Sequence, residues 1–157
     1  MPPIDTACID APRMNDSRTA FDIRVNAPVS VEQFLGVLRA STLAERRPVD
    51  DLECIEGMLR NANLTVSAWQ GERLVGIARS VTDFHYACYL SDLAVERALQ
   101  GQGIGRALIE ATRAQLGPKA KLILLAAPAA DRYYERIGMT RHPRAWLLDR
   151  DQPLAGA

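Results

Sequence analysis

The stretch with the fewest ways to fold in this 157-residue chain runs from Tyr86 to Leu125. It opens with a strand-like run, YACYLSDLAV (Tyr86 to Val95), and crosses a loop holding Gly101, Gly103 and Gly105. From Ile104 the apolar residues fall at helical steps, through Leu108, Ile109, Thr112 and Leu116. The sequence GPK (Gly117 to Lys119) stops that helix. KLILLAA follows, a short apolar run of the kind expected for a strand buried on both faces. A helix between two strands cannot be a hairpin connection, so the strands should lie parallel with a right-handed crossover.

The remaining segments arrange themselves around this unit. FDIRV (Phe21 to Val25) alternates as a half-buried strand does. Ser30 and Gln33 have capping-box spacing ahead of Val31, Phe34, Leu35 and Leu38, which share a helical face. A second helix is expected with Asp50 as its cap, Glu53 as the reciprocal partner, and Leu52, Ile55 and Leu59 as its buried stripe. LTVSAWQGERLVGIARSV reads as two strands turning at Gln70-Gly71. AADRYYERIG reads as a short helix closed by Gly138, and RAWLL (Arg144 to Leu148) as a last strand. The order is strand, helix, helix, three strands, helix, strand, helix, strand: one α/β domain over 21–150, behind a mobile tail at 1–20.

Composition narrows the function classes. Lys and Arg balance Asp and Glu at 19 each, which removes the basic excess that broad nucleic-acid binding requires. No basic stripe with interleaved aromatics is visible, so no nucleic-acid partner is expected. The longest apolar run, Leu122 to Ala130, is far below the roughly 20 residues that span a bilayer. The first residues lack the basic start and apolar centre of a secretory signal. Three cysteines, Cys8, Cys54 and Cys88, form neither a disulfide framework nor a C-x-x-C zinc site. A cytoplasmic protein with reduced thiols, no metal and no membrane partner is the expectation.

A glycine-rich turn at a helix start leaves backbone N–H groups aimed at one spot, where the helix dipole adds partial positive charge. Glycine lets a bulky anion approach the bare main chain. A phosphate-bearing ligand follows, of three loop types. The P-loop string G-x-x-x-x-G-K-[ST] is absent. A dinucleotide fingerprint begun at Gly101 meets Arg106 where its third glycine belongs, and begun at Gly103 it meets Leu108. The acid expected about 20 residues on is replaced by KLILLAA. The third type fits: Gln100 to Gly105, QGQGIG, resembles the [RQ]-x-x-G-x-[GA] loop of the GNAT superfamily of acyl-CoA N-acyltransferases. YLSDLAV before it and YYERIGM after it resemble that family's flanking segments in order and spacing, from about Leu64 to Leu148.

The resemblance implies a central mixed, mostly antiparallel sheet, flanked by helices, with a splayed parallel strand pair. It implies acetyl-CoA as the acetyl donor and direct transfer to a primary amine in a ternary complex. The diphosphate of CoA would lie on the amides of Gln100, Gly101, Gln102, Gly103, Ile104, Gly105 and Arg106, with the Arg106 charge able to add to them. Main-chain groups of Leu93 and Val95 would hold the pantetheine arm, and the Val95 N–H would face the thioester oxygen. Tyr134 matches the tyrosine that protonates the leaving thiolate, and a phenol of reference pKa near 10 suits that task. Tyr133 would pack beside it or touch CoA. Two positions depart from the family pattern: Ala127 stands where an asparagine is often found, and Met139 where phenylalanine is usual.

An ammonium has no lone pair, so a base is expected. Asp92 is the first candidate, then His85 and Asp83; His142, before Pro143, reads as a loop residue. No cysteine falls in a matched catalytic position, which disfavours an acyl-enzyme. Asp50, Asp51, Glu53, Asp83 and Asp92 could give a pocket suited to a cationic amine, or could be ordinary caps and surface residues. A small-molecule acceptor is expected ahead of a protein, and a homodimer is compatible with the resemblance. The alternative is a catalytically silent acyl-CoA-binding module.

Overall fold

The computed structural model describes residues 20–156, so the expected tail and Cys8 lie outside the described residues, Ala20 apart. The chain divides into two compact units, up to Leu124 and from Leu125. In the first, one sheet carries five strands in chain order: β1 (Asp22–Val25), β2 (Leu64–Gln70), β3 (Arg73–Thr82), β4 (Ala87–Val95) and β5 (Lys121–Ile123). Neighbours from β1 to β4 run antiparallel, and β4 with β5 runs parallel, as the strand–helix–strand unit requires. This is the mixed, mostly antiparallel sheet expected.

The helices α1 (Val31–Ala40), α2 (Leu52–Asn61) and α3 (Ile104–Ala114) flank the sheet. Ser30 caps α1 and Gln33 returns the bond, completing the box read from sequence. On α2 the cap is Asp51 rather than Asp50. Its carboxylate accepts from the Cys54 amide at 3.0 Å, so the helix starts one residue later and Glu53 has no reciprocal bond to make. Of the expected α2 stripe only Ile55 is fully buried; Leu52 is 57% exposed.

Alternation along β3 sends Ile77 to one face and Gly76 to the other. Ile77 joins Phe34, Leu38, Ile55, Trp69 and Ala94 in the core beneath α1 and α2. Burying each such large side chain contributes about 1.5–3 kcal/mol. Gly76 faces α3, where an added Cβ would sit 3.1 Å from both Ile104 Cγ2 and Leu108 Cδ1. A bare Cα at that point lets the first turn of α3 settle on β3, which fixes where the glycine loop ends.

The segment expected as a fully buried strand is the short outer strand β5, with Lys121 exposed and Ile123 51% exposed. It pairs only with the first three residues of β4 and has no strand on its other side among the described residues, and of its apolar side chains Leu122 is half-buried.

In the second unit, the helix α4 (Asp131–Arg136) follows a 3-10 turn at Pro128–Ala130, and Gly138 closes it by donating to the Glu135 carbonyl at 3.0 Å. The expected strand at Arg144 to Leu148 does not form, and Trp146 is 96% exposed. A strand needs a neighbour to accept its ladder bonds, and among the described residues this segment pairs with none.

Candidate functional site

Two openings in the first unit coincide with the glycine loop. The β4–β5 ladder stops at the Tyr89–Ile123 pair, while β4 runs on to Val95. The expected splay of the parallel pair is this unpaired reach of β4. The Glu96 amide donates to Val75 on the β3 side at 2.9 Å. Main-chain groups alternate along a strand, so those of Val95 and Leu93 point to the opposite, open edge. There the Gln100 side chain donates to the Val95 carbonyl at 3.0 Å, tying the loop to the strand and leaving the Val95 N–H at that edge.

Beyond Gln100 the chain makes two left-handed turns, with φ of +78° at Gly101 and +88° at Gly103, and Gly103 caps α3 without a side-chain bond. Among the described residues, nothing accepts from the amides of Gly101, Gln102, Gly103, Ile104 or Gly105; the first intrahelical bond is Ala107 N–H to the Gly103 carbonyl. A Cβ at residue 101 or 103 would meet no atom within 4 Å. The loop is therefore an exposed run of unspent donors at the positive end of an 11-residue helix. Arg106, one turn in, donates to Glu110 at 2.8 Å. A cavity of about 410 Å³ lies at the other end of α3, lined by Arg113, Pro118 and Leu122, away from this loop.

On the α1–α2 face of β4 lies a group of side chains that sequence reasoning only half found. Asp92 is fully buried, and its two carboxylate oxygens accept from Arg47 Nε and Arg79 Nε, each at 2.5 Å. Here β4 carries an extra residue: Arg79 pairs with Asp92 but Ser80 pairs with Leu90, so Ser91 bulges. Both arginines hold it, Arg79 donating to Ser91 Oγ at 2.9 Å and Arg47 to the Ser91 carbonyl at 2.7 Å. Arg79 also donates to the Met58 carbonyl on α2 at 3.1 Å.

The other base candidates are elsewhere. Asp83 and His85 occupy the β3–β4 turn, where Asp83 Oδ1 accepts from the amides of His85, Tyr86 and Ala87. Those amides, Tyr86 first, lower the Asp83 carboxyl below its ordinary 3.8. Asp92 lies five residue steps along the strand from Ala87, about 17 Å. His142 is exposed, its Nδ1 accepting from the Arg144 amide.

In the second unit, Tyr133 and Tyr134 stand edge to face on α4 with ring centroids 5.3 Å apart. Tyr134 is half-buried; burial, and secondarily Tyr133, raises its phenol above the ordinary 10.0. A phenol so placed stays protonated at neutral pH. Among the described residues no cluster of His, Cys, Asp or Glu could hold a metal ion, and no helix is long and apolar enough to cross a membrane. Cys54, exposed, and Cys88, buried, are free thiols.

Comparison with known proteins bears on these features. A family profile described as an acetyltransferase (GNAT) domain matches residues 37–145. An uncharacterized ycf52-like N-acetyltransferase of Prochlorococcus marinus is 30% identical over 105 residues, 63% of this chain and 57% of that protein. The chain thus spans little more than half the length of that relative. A probable acetyltransferase from meticillin-resistant Staphylococcus aureus, 22% identical, has TM-score 0.66 over 83% of this chain and 98% of its own. An aminoglycoside N-acetyltransferase in complex with CoA, 17% identical, has TM-score 0.65 over 84% and 95%. These two likenesses are likenesses of fold.

Proposed function

Because the chain belongs to the GNAT acetyltransferase family, we propose that it moves the acetyl group of acetyl-CoA to a primary amine by direct transfer in a ternary complex, in the cytoplasm. The observation that carries this reading is the run of unspent amides from Gly101 to Gly105 beside the unpaired edge of β4. An anion of two phosphates suits the loop, and an extended amide-bearing arm suits the strand edge. Gln100 to Arg106 receive the diphosphate. Leu93 and Val95 receive the pantetheine arm through main-chain groups, and the Val95 N–H stabilises the charge that grows on the thioester oxygen.

Tyr134 is the acid for the departing thiolate in this scheme, with Tyr133 packed against its ring. Support for the role comes from the match of Tyr134 to the family tyrosine; a phenol is protonated at neutral pH and so holds the proton the thiolate needs. Asp92, the first candidate base, has both oxygens committed to guanidinium groups. That geometry favours a positioning role, holding the bulged stretch of β4, over proton abstraction.

The test is calorimetric titration with acetyl-CoA, followed by assays of CoA release over a panel of amines for wild type and Tyr134→Phe. Saturable binding by both proteins, with turnover reduced about 100-fold or more in the variant, supports the reading. No binding of acetyl-CoA refutes it. Binding with no amine ever acetylated turns the conclusion to a silent acyl-CoA-binding module.

A further inference from the structure

Two features adjoin on the face of the sheet that carries α1 and α2. The first is the Arg47–Asp92–Arg79 network, in which two guanidinium groups share one carboxylate and leave one positive charge in surplus. Asp92 and Arg79 are buried, whereas the Arg47 side chain is 21% exposed, so the surplus meets solvent at Arg47. Arg47 spends three of the five N–H donors of a guanidinium, on Asp92 and on the carbonyls of Arg46 and Ser91. Two remain to offer.

The second feature is apolar. Val81 on β3, Tyr89 on β4 and Ile123 on β5 pair with one another in register, and they are 51%, 41% and 51% exposed. Val81 lies two residues beyond Arg79 on the same face, about 7 Å along the strand. Ser80 and Thr82, which alternate with them, are buried on the other face. The charged network and the exposed apolar row therefore share one face of the sheet, joined through Arg79 and Val81, two residues apart on β3.

We propose that this face takes the acceptor, and that the acceptor is an amino acid with an apolar or aromatic side chain. Its carboxylate lies against Arg47 and its side chain on Val81, Tyr89 and Ile123. This rests on the acetyltransferase reading above. The surplus charge repels a polyamine, and Asp92, already shared by two arginines, is not available to attract one. In the transfer, the amine nitrogen bonds to the acetyl carbon as the C–S bond breaks. The ammonium gives one proton to solvent before attack and a second as the amide forms, the thiolate takes one from Tyr134, which recovers it from solvent, and the products are an N-acetyl amino acid, CoA and one proton.

The experiment measures acetyl-CoA-dependent CoA release with phenylalanine, leucine, phenylalaninamide, phenethylamine and spermidine. Phenylalanine is expected to exceed its amide and phenethylamine at least tenfold in kcat/KM, because a site built to bond a carboxylate is left with unpaired donors by an analogue lacking it. Arg47→Gln should bring the phenylalanine-to-amide ratio to within about twofold through KM, since the pairing is with the guanidinium. Preference for phenethylamine or spermidine overturns the proposal, as does a ratio that survives Arg47→Gln. The wild-type ratios decide the matter if that variant fails to fold. If acetyl-CoA binds and no amino acid is acetylated, the acceptor assignment alone is wrong; if acetyl-CoA does not bind, the acetyltransferase reading is wrong and this falls with it.

Discussion

Gly103→Ala separates two consequences of one methyl group. At φ of +88° the substitution forces an alanine into left-handed backbone, at a cost of about 1–2 kcal/mol. The new Cβ meets no atom within 4 Å, so no steric cost adds to this. In a domain of this size the melting temperature should drop by about 2–8 °C. That strain is present with and without ligand, so by itself it leaves affinity unchanged. A ligand effect is expected only where the diphosphate lies against the bare Cα of Gly103, because the new Cβ then holds it off the loop amides. Losing one charge-assisted bond to a phosphate, about 1.5–3 kcal/mol, raises the Kd for acetyl-CoA about 10- to 150-fold. Calorimetry with acetyl-CoA and with S-acetylpantetheine, which lacks the diphosphate, distinguishes the two effects: only the first ligand should weaken. Gly71→Ala is the control, since Gly71 also has positive φ and open space but lies in the β2–β3 turn. It should lower the melting temperature with Kd unaltered. If Gly103→Ala binds acetyl-CoA within about twofold of wild type while melting lower, the loop is not the diphosphate site.

Three other outcomes are expected. Asp92→Asn leaves two buried or half-buried arginines without their counter-charge and should cost about 3–5 kcal/mol in urea unfolding; a loss below about 1 kcal/mol would contradict the network's role. If Asp92 positions the bulge and is not the base, the surviving activity of that variant keeps the wild-type acidic limb in its pH–rate profile, whereas loss of that limb restores Asp92 as base. Asp83 has a depressed folded pKa, so its stabilising contribution is present above its unfolded value of about 3.8 and is lost as pH falls through the lower folded value. Asp83→Asn should therefore be less stable than wild type at pH 7, with the gap in thermal melts closing in strong acid.

The parts of the site that were legible in the sequence are local ones. Three glycines within five residues at a helix start determine backbone conformation and exposure where they stand, whatever the rest of the chain does. The capping box at Ser30 and Gln33 spans one turn and is equally self-contained. The Asp51 cap is not legible in the sequence because two adjacent aspartates offer the same capping chemistry. RAWLL has strand propensity, but a strand also requires a partner, which propensity does not report. The Arg47–Asp92–Arg79 network joins residues 45 and 13 apart, so no period reveals it. A faint signal existed: Arg79 and Asp92 are solitary opposite charges inside two strand-like apolar runs, and charges so placed need each other.

The bulge at Ser91 ties these two kinds of information together. Side chains and main-chain groups both alternate along a strand, so inserting one residue reverses, for everything beyond it, which face and which edge each group addresses. With Ser91 in place, Ala94 reaches the α1 core and the Val95 N–H reaches the open edge. Regular pairing through Ser91 would turn the Val95 N–H into the ladder with β3 and leave the β4 edge offering the wrong amides. Two arginines grip the inserted residue, one from β3 and one from the loop after α1, and Asp92 neutralises one of their two charges. The charged network on the α1–α2 face and the Val95 amide at the open edge of β4 are thus consequences of the same inserted residue, one through its contacts with the two arginines and the other through its register.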